Sequence, residues 1–176
     1  MNTNLQLTLK KYIMKKIFTL LAIVGMLSLQ SCTTTDYVDD DTVSEVFEVT
    51  TSFTSSNNYN KVINFNPAIY SSDVVLVYRL TGTYQGSDVW KLLPETHYFS
   101  DGSFDFSYDY DYTNTDVSVY LNGSNLQTVP SEFRLNQVLR IVIVPANYSK
   151  SLDKNNFESV MSALNINKSQ IQKIDL

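Results

Sequence analysis

The sequence predicts a mainly β fold, an antiparallel β-sandwich of the immunoglobulin-like or a similar type, with one short helix near the C-terminus. Apolar residues recur with a period of two from about residue 43 onward, which is typical of strands. Turn residues divide this region into roughly seven or more short strands, as in β-sandwiches. The period changes to that of a helix only near the end of the chain, so alternating helices of an α/β sheet are not expected.

The first half of the domain supplies five of the predicted strands. Residues 46–53 alternate, with the more apolar side chains at odd-numbered positions, and 61–65 form a short second strand. Residues 74–78 are apolar on both faces, which predicts a central strand. Residues 81–88 contain two glycines and predict a loop. Further strand residues follow at 89–99, interrupted at Pro94 because proline cannot donate to a ladder.

The second half contains the most regular alternation in the chain. Aromatic and acidic or hydroxyl residues alternate over 104–112, which predicts a strand with one buried face, and 117–121 continues the pattern. Asn122-Gly123 is a hairpin-turn signal. Residues 138–144 are apolar except for one arginine and predict a second central strand.

The helical period lies near 156–164. Phe157, Val160, Met161 and Leu164 stand at i, i+3, i+4 and i+7, which predicts an amphipathic helix. Asn155 or Asn156 is suited to cap it. Residues 170–176 then predict a last extended segment. We therefore expect a single domain over 45–176.

The N-terminus has the anatomy of a signal peptide over residues 1–31. Two lysines precede an apolar run over 17–29, whose 13 residues are fewer than the roughly 20 that a bilayer-spanning helix needs. The run ends in Leu29-Gln30-Ser31-Cys32, which resembles a bacterial lipobox, although Gln30 replaces the usual small residue. Met14 is an alternative start to Met1, with the same cleavage site.

The resemblance is to small lipoproteins of the Bacteroidota, and it implies a lipid-bearing Cys32 and a location at the outer membrane, facing the surface or the periplasm. It implies no activity. Residues 32–44 are acidic and lack a periodic apolar face, so we expect a flexible tether. Since Cys32 is the single cysteine, no intramolecular disulfide can form.

Charge disfavours a nucleic-acid partner. Residues 1–31 hold four lysines and no acidic residue, which leaves 9 basic against 18 acidic residues and a net charge of −9 in the mature chain. Phosphate binding requires clustered lysine and arginine.

Candidate catalytic and metal-binding residues are few. His97 is the only histidine, and no Gly-x-Ser-x-Gly motif accompanies it, so we expect no enzyme activity. Calcium prefers oxygen ligands, and Asp101, Asp105 and Asp116 are candidate ligands in the densest acidic run. The alternative is a solvated strand face that blocks edge aggregation. No other cofactor is expected besides the lipid.

Aromatic and arginine residues provide candidate ligand contacts. Trp90, Tyr108, Tyr110 and Tyr112 belong to an aromatic set suited to stacking on a glycan or peptide if exposed, or to packing in the core if buried. Two arginines that interrupt apolar strands must face water or pair with a carboxylate, or else recognise an anionic ligand; these are Arg79 and Arg140.

These features together predict a lipid-anchored envelope protein that acts as a non-enzymatic binding module for protein or glycan. A structural or assembly subunit of an envelope complex is the alternative, and a hydrolase is the third. An exposed aromatic groove favours the first, whereas a broad apolar patch favours the second. A hydrolase requires His97 in a cleft near an acid and a hydroxyl.

Overall fold

The computed structural model describes residues 44–149 and 152–174. The signal peptide, Cys32 and the tether up to residue 43 lie outside the described residues. In chain order the strands are β1 (Glu45–Thr51), β2 (Asn60–Asn64), β3 (Val74–Tyr84), β4 (Ser87–Leu92), β5 (Glu95–Tyr98), β6 (Phe104–Tyr112), β7 (Asp116–Gly123), β8 (Gln137–Val144) and β9 (Gln172–Ile174). Helix α1 spans Phe157–Ala163, and three 3₁₀ turns occupy Ser55–Asn57, Ser131–Phe133 and Lys168–Gln170.

The strands form two sheets. The five-stranded sheet has the order β4-β3-β8-β1-β9, and the four-stranded sheet has the order β2-β7-β6-β5. All pairings are antiparallel except the parallel contact of β9 with β1 at one edge. The predicted mainly β sandwich with one short C-terminal helix is confirmed.

Two apolar clusters hold these layers together. The first lies between the sheets and includes Val77 and Ile141 from one sheet and Phe106 and Val119 from the other. The second covers the opposite face of the five-stranded sheet, where α1 inserts Phe157 and the neighbouring apolar positions of its turns. Helix, five-stranded sheet and four-stranded sheet are therefore stacked in three layers.

The central strands follow from the apolar pattern. β3 and β8 lie in the interior of the five-stranded sheet and bury residues on both faces, as predicted for 74–78 and 138–144. One face meets the other sheet and the other face meets the helix. The helix begins after Asn156, whose side-chain oxygen accepts a hydrogen bond from the Ser159 amide, as expected for an N-cap.

Two local predictions are wrong. Residues 81–88 are not a loop, because β3 and β4 continue as a hairpin to a two-residue turn at Gln85-Gly86, where both residues have positive φ. Asn122-Gly123 is not the hairpin turn, since both residues pair with β6 and the β6–β7 turn lies at 113–115. Gly123 is needed for close approach: a Cβ there would lie 3.0 Å from the Asp105 carbonyl oxygen.

Candidate functional site

Two clefts lie on the outer face of the five-stranded sheet, beside helix α1 and on either side of Trp90. The first, of about 370 Å³, is lined by Arg140, Lys168 and Lys173 together with Glu48, and we call it the basic cleft. The second, of about 390 Å³, is called the polar cleft. Its side chains include Tyr84, Ser87, Asn155, Asn156 and Glu158. Trp90 and Asp88 line both clefts, so the two clefts adjoin.

Strand register builds the floor of the basic cleft. Arg140 of β8 lies directly opposite Glu48 of β1, and Glu48 lies opposite Lys173 of β9. Side chains directly opposite on one face of a sheet are close enough to pair. Glu48 Oε2 accepts hydrogen bonds from Arg140 Nε and Nη2 at 3.0 and 2.8 Å, and Lys173 Nζ lies 3.3 Å from Glu48 Oε1.

The charge of Glu48 is stabilised by these cations. Burial alone would raise the pKa of its carboxyl group, but the hydrogen bond and charge of Arg140, with those of Lys173, hold the pKa below its ordinary value. Glu48 is therefore ionised at neutral pH. The cross-strand carboxylate partner predicted for Arg140 is confirmed.

Arg140 also packs on aromatic rings. Its guanidinium carbon lies 3.9 Å from the centroid of the Trp90 ring and 5.0 Å from that of Phe157. Trp90 in turn packs against Phe157, with ring centroids 5.4 Å apart, and is only partly exposed. Trp90 is thus a fixed divider between the clefts, whereas the ring of Tyr84 at the tip of the β3–β4 hairpin is 69% exposed.

Two donors at this divider have unmet hydrogen-bonding capacity. Within the described ranges 44–149 and 152–174, Arg140 Nη1 and Trp90 Nε1 are buried and find no acceptor. Buried donors without partners are uncommon in native proteins and are costly, so such groups call for an explanation such as a bound water or ligand. Arg140 is 7% exposed, which makes it the least solvated cation of the clefts.

The candidate ligand contacts predicted from sequence separate into three pairs. Trp90 and Arg140 meet at the clefts. Arg79 and Tyr108 meet in the interior, where the guanidinium carbon lies 4.6 Å from the ring centroid. Tyr108 is fully buried and cannot stack on a ligand, so its inclusion in an exposed platform was wrong.

The remaining pair, Tyr110 and Tyr112, lies toward the end of β6. Their rings are stacked with centroids 6.4 Å apart. Tyr110 is partly buried, packs against the core between the sheets and donates its hydroxyl to the Val75 carbonyl at 3.0 Å. Tyr112 is exposed, so the pair presents one open ring and not a continuous platform.

The interior holds a second polar group, centred on Arg79. Its Nε and Nη2 donate to the two carboxylate oxygens of Glu95 at 2.8 and 2.9 Å, and Nη1 donates to Gln137 Oε1 at 3.0 Å. A carboxylate partner was predicted for Arg79, and it comes from the opposite sheet. Burial raises the pKa of Glu95, but the hydrogen bonds and charge of Arg79 outweigh it, with Lys91 and His97 adding to the effect, so the pKa is lowered.

His97 belongs to this interior group. Its ring stacks on Phe106 at a centroid distance of 4.4 Å, and Nε2 lies 3.0 Å from Glu95 Oε1 without the direction of a hydrogen bond. Burial lowers the pKa of His97 despite the opposing charge of Glu95. An acid is near His97, as a hydrolase would require, but the hydroxyl of Tyr108, whose ring centroid lies 5.9 Å from that of His97, donates to the Phe133 carbonyl. His97 lines neither the basic nor the polar cleft.

The predicted calcium ligands are not brought together. Asp105 is the second residue of β6, whereas Asp116 begins β7 beside the far end of β6, so about eight residues, or roughly 27 Å, separate their positions. Asp101 accepts hydrogen bonds from the Ser103 amide and hydroxyl within its own turn. The described residues contain no group of three or more His, Cys, Asp or Glu suited to a metal ion. The three-aspartate set was therefore wrong as one site.

Sequence reasoning missed Glu48, Lys168, Lys173 and the polar residues before α1. Glu48 alone left a signal, because a lone acid in a strand is a suitable partner for a lone arginine in another apolar strand. The two lysines carried none, since they reach the cleft only through the turn after α1 and the parallel pairing of β9.

Comparison with protein-family models, curated proteins and solved structures finds no significant match to this chain. Within the described part of the chain, no helix is both long and apolar enough to cross a bilayer.

Proposed function

We propose that this chain is a lipid-anchored envelope protein of the Bacteroidota type, whose sandwich domain is a non-enzymatic binding module with a glycan ligand. The observation that carries the binding role is the pair of clefts around Trp90. Small-ligand sites are concave and combine apolar or aromatic surface with a few polar groups. Here Trp90 and Tyr84 supply the rings, while Asn155, Asn156 and Glu158 supply the polar groups.

A glycan suits this surface because sugar rings stack on aromatic faces while their hydroxyls bond to amides and carboxylates. Because Trp90 lines both clefts, a chain of sugar rings bound in one cleft can extend across it into the other. Stacking is expected on Tyr84, whose ring is more exposed than that of Trp90. No nucleic acid is proposed, since the chain is acidic overall.

Binding is tested by incubating the purified chain with an array of oligosaccharides. Tyr84→Ala should weaken retention without loss of stability, because the side chain is 69% exposed at a hairpin tip. Tyr98→Ala is the matched control, since Tyr98 is 64% exposed on the other sheet. Equal loss in both variants, or retention of no oligosaccharide, would contradict the proposed binding role.

The anchor is proposed from the lipobox at residues 29–32. Two acyl chains hold a protein to a membrane stably, whereas one gives marginal binding. Mass spectrometry of the protein from its bacterial membrane should find the N-terminus at Cys32 with acyl chains attached, and Cys32→Ser should leave an uncleaved precursor. An unchanged acylated product from Cys32→Ser would refute the lipobox assignment. Digestion by protease added to intact cells distinguishes the surface from the periplasmic side.

A structural or assembly subunit is the second candidate, favoured by the β5–β6 hairpin. Tyr98 and Phe104 are directly opposite in register and exposed, and Phe99 at the turn is also exposed. Exposed apolar patches often mark contact surfaces. Crosslinking in living cells that is lost in Tyr98→Ala and kept in Tyr84→Ala would favour this role over glycan binding.

A further inference from the structure

We propose that the ligand is an acidic oligosaccharide, with a carboxylate-bearing sugar in the basic cleft and a neutral sugar in the polar cleft. This inference rests on the proposed glycan-binding function and adds the chemical class and orientation of the ligand. It depends on the difference in charge between the two clefts, on the engaged state of Glu48 and on the buried guanidinium of Arg140.

The described residues that line the basic cleft include three cations and two acids. Arg140, Lys168 and Lys173 line it, and its acids are Glu48 and Asp88. Glu48 already accepts both hydrogen bonds of Arg140 and lies within ion-pair distance of Lys173. Among residues 44–149 and 152–174, no carboxylate lies within ion-pair distance of Lys168. Within the described ranges, the cleft therefore retains positive charge that no neighbouring carboxylate neutralises.

Arg140 provides the desolvated contact. Its Nη1 atom is buried without an acceptor in the described part of the chain, although the side chain lines the cleft. A guanidinium offers donors in a planar arrangement that matches a carboxylate. Because Glu48 engages only Nε and Nη2, an anionic group in the basic cleft would supply the acceptor that Nη1 lacks.

The polar cleft has the opposite character. Asp88 and Glu158 are acidic, Asn155 and Asn156 offer amide groups, and none of the described residues that line it is a lysine or an arginine. Sugar hydroxyls donate to carboxylates, but a second anionic group would be repelled there. A ligand that crosses Trp90 is thus oriented, with its charged sugar toward Lys168 and its neutral sugar toward Glu158.

The negative charge of the whole chain means that selectivity for an acidic sugar depends on the basic cleft alone. The whole chain has a net charge of −5, so its average field repels anions. Preference for an acidic sugar must then arise from contacts inside the basic cleft. Such contacts are screened by salt, so the preference should decrease as ionic strength rises.

The experiment uses an array of oligosaccharides that contain uronic or sialic acid, each printed beside its methyl ester. The ester keeps the sugar rings and removes the charge. The acidic oligosaccharides of the array should retain the full-length chain. The dissociation constant of each methyl ester should be about tenfold higher than that of the corresponding acid. Lys168→Gln and Lys173→Gln should each raise the dissociation constant for acidic oligosaccharides by up to about fivefold, since exposed charge contacts contribute little individually. Tyr84→Ala should weaken acidic and esterified members alike.

Lys61→Gln is the matched control, because it removes the same charge from β2 of the other sheet. It should leave every constant within twofold of the wild type. If acids and esters bind equally, or if Lys168→Gln combined with Lys173→Gln leaves their ratio unchanged, the acidic ligand is refuted while glycan binding stands. If no oligosaccharide is retained, both proposals fail. If Lys61→Gln weakens the binding of acidic oligosaccharides as much as Lys168→Gln or Lys173→Gln does, the effect reflects the net charge of the chain and not the cleft, and the inference is also refuted.

Discussion

Removal of the Glu95 charge is expected to destabilise the domain more than any surface substitution. Arg79 is 5% exposed and Glu95 is 3% exposed, and two hydrogen bonds of 2.8 and 2.9 Å join them between the sheets. Glu95→Gln keeps the volume but leaves the guanidinium buried without its counter-charge. Breaking a buried pair in this way costs about 3–5 kcal/mol.

That loss is large beside the total stability of a domain, which is about 5–15 kcal/mol. With a urea m-value of about 2 kcal/mol/M, a loss of about 4 kcal/mol lowers the midpoint by about 2 M. Unfolding is followed by circular dichroism together with fluorescence of Trp90, the only tryptophan. Agreement of the two signals tests whether unfolding is two-state.

Two variants separate the buried pair from simple damage. Lys91 lies 3.5 Å from Glu95, but its side chain is 55% exposed. Lys91→Met should therefore lower the free energy of unfolding by less than about 1 kcal/mol. Arg79→Met combined with Glu95→Leu removes both charges and should recover most of the loss, since apolar replacement of a buried pair is often neutral. A Glu95→Gln midpoint within about 0.5 M of the wild type would refute the reasoning.

Acidification should destabilise the domain in two steps, measured as urea midpoints from pH 8 to pH 3. The folded-state pKa of His97 is lowered, so the unfolded chain takes up the proton first and stability falls below about pH 6.5; His97→Phe should remove this step. The folded-state pKa values of Glu95 and Glu48 are lowered too, so the stability that their ionised forms contribute is lost below about pH 4.5. A rise in stability on acidification would contradict the assignment of the first step to His97 and of the second to the two glutamates. Phe157→Ala should cost about 3–5 kcal/mol in urea unfolding because a buried ring between two aromatic neighbours is lost. Gly123→Ala should cost about 1–3 kcal/mol because the added methyl group meets a backbone carbonyl at 3.0 Å, and an unchanged midpoint would show that the strands move apart freely.

The sequence allowed prediction of the layers because burial imposes a period on each element. Alternation in 104–112 predicted a strand with one buried face, and Phe106 and Tyr108 on that face are buried, whereas Phe104 and Tyr112 at its ends are exposed. Two-sided apolar runs identified β3 and β8 as central. The hydrophobic effect acts on every second residue of a strand with one buried face and on consecutive residues of a strand buried on both faces, so local composition is sufficient to assign the element.

Glycine positions were harder to interpret. A Gly-rich segment at 81–88 and the pair Asn122-Gly123 both carry turn signals, yet most of these residues lie in strands. A glycine satisfies equally a positive φ, a bulge or a close approach of two chains. Only Gly86 serves the turn, while Gly123 is required by the neighbouring strand. Local sequence does not distinguish these causes.

The candidate site was predicted only in part, because its residues come from segments distant in sequence. Trp90 and Arg140 were identified from residue type, but their contact depends on the order β4-β3-β8 in the sheet. Lys173 joins them through the parallel pairing of β9 with β1. Strand order follows from the whole chain and not from any single motif, so the composition of the clefts was not accessible from sequence.

The open clefts follow from a mismatch in length between helix and sheet. Helix α1 has seven residues and extends about 10 Å, whereas β3 has eleven residues and extends about 36 Å. The helix therefore covers only part of the outer face of the five-stranded sheet. At the end of the helix that face changes from valine and tyrosine to Arg140, which lies against Phe157, and to Glu48; these two charges tolerate partial burial because they pair with each other. The two clefts lie where the apolar cover ends and the sheet continues.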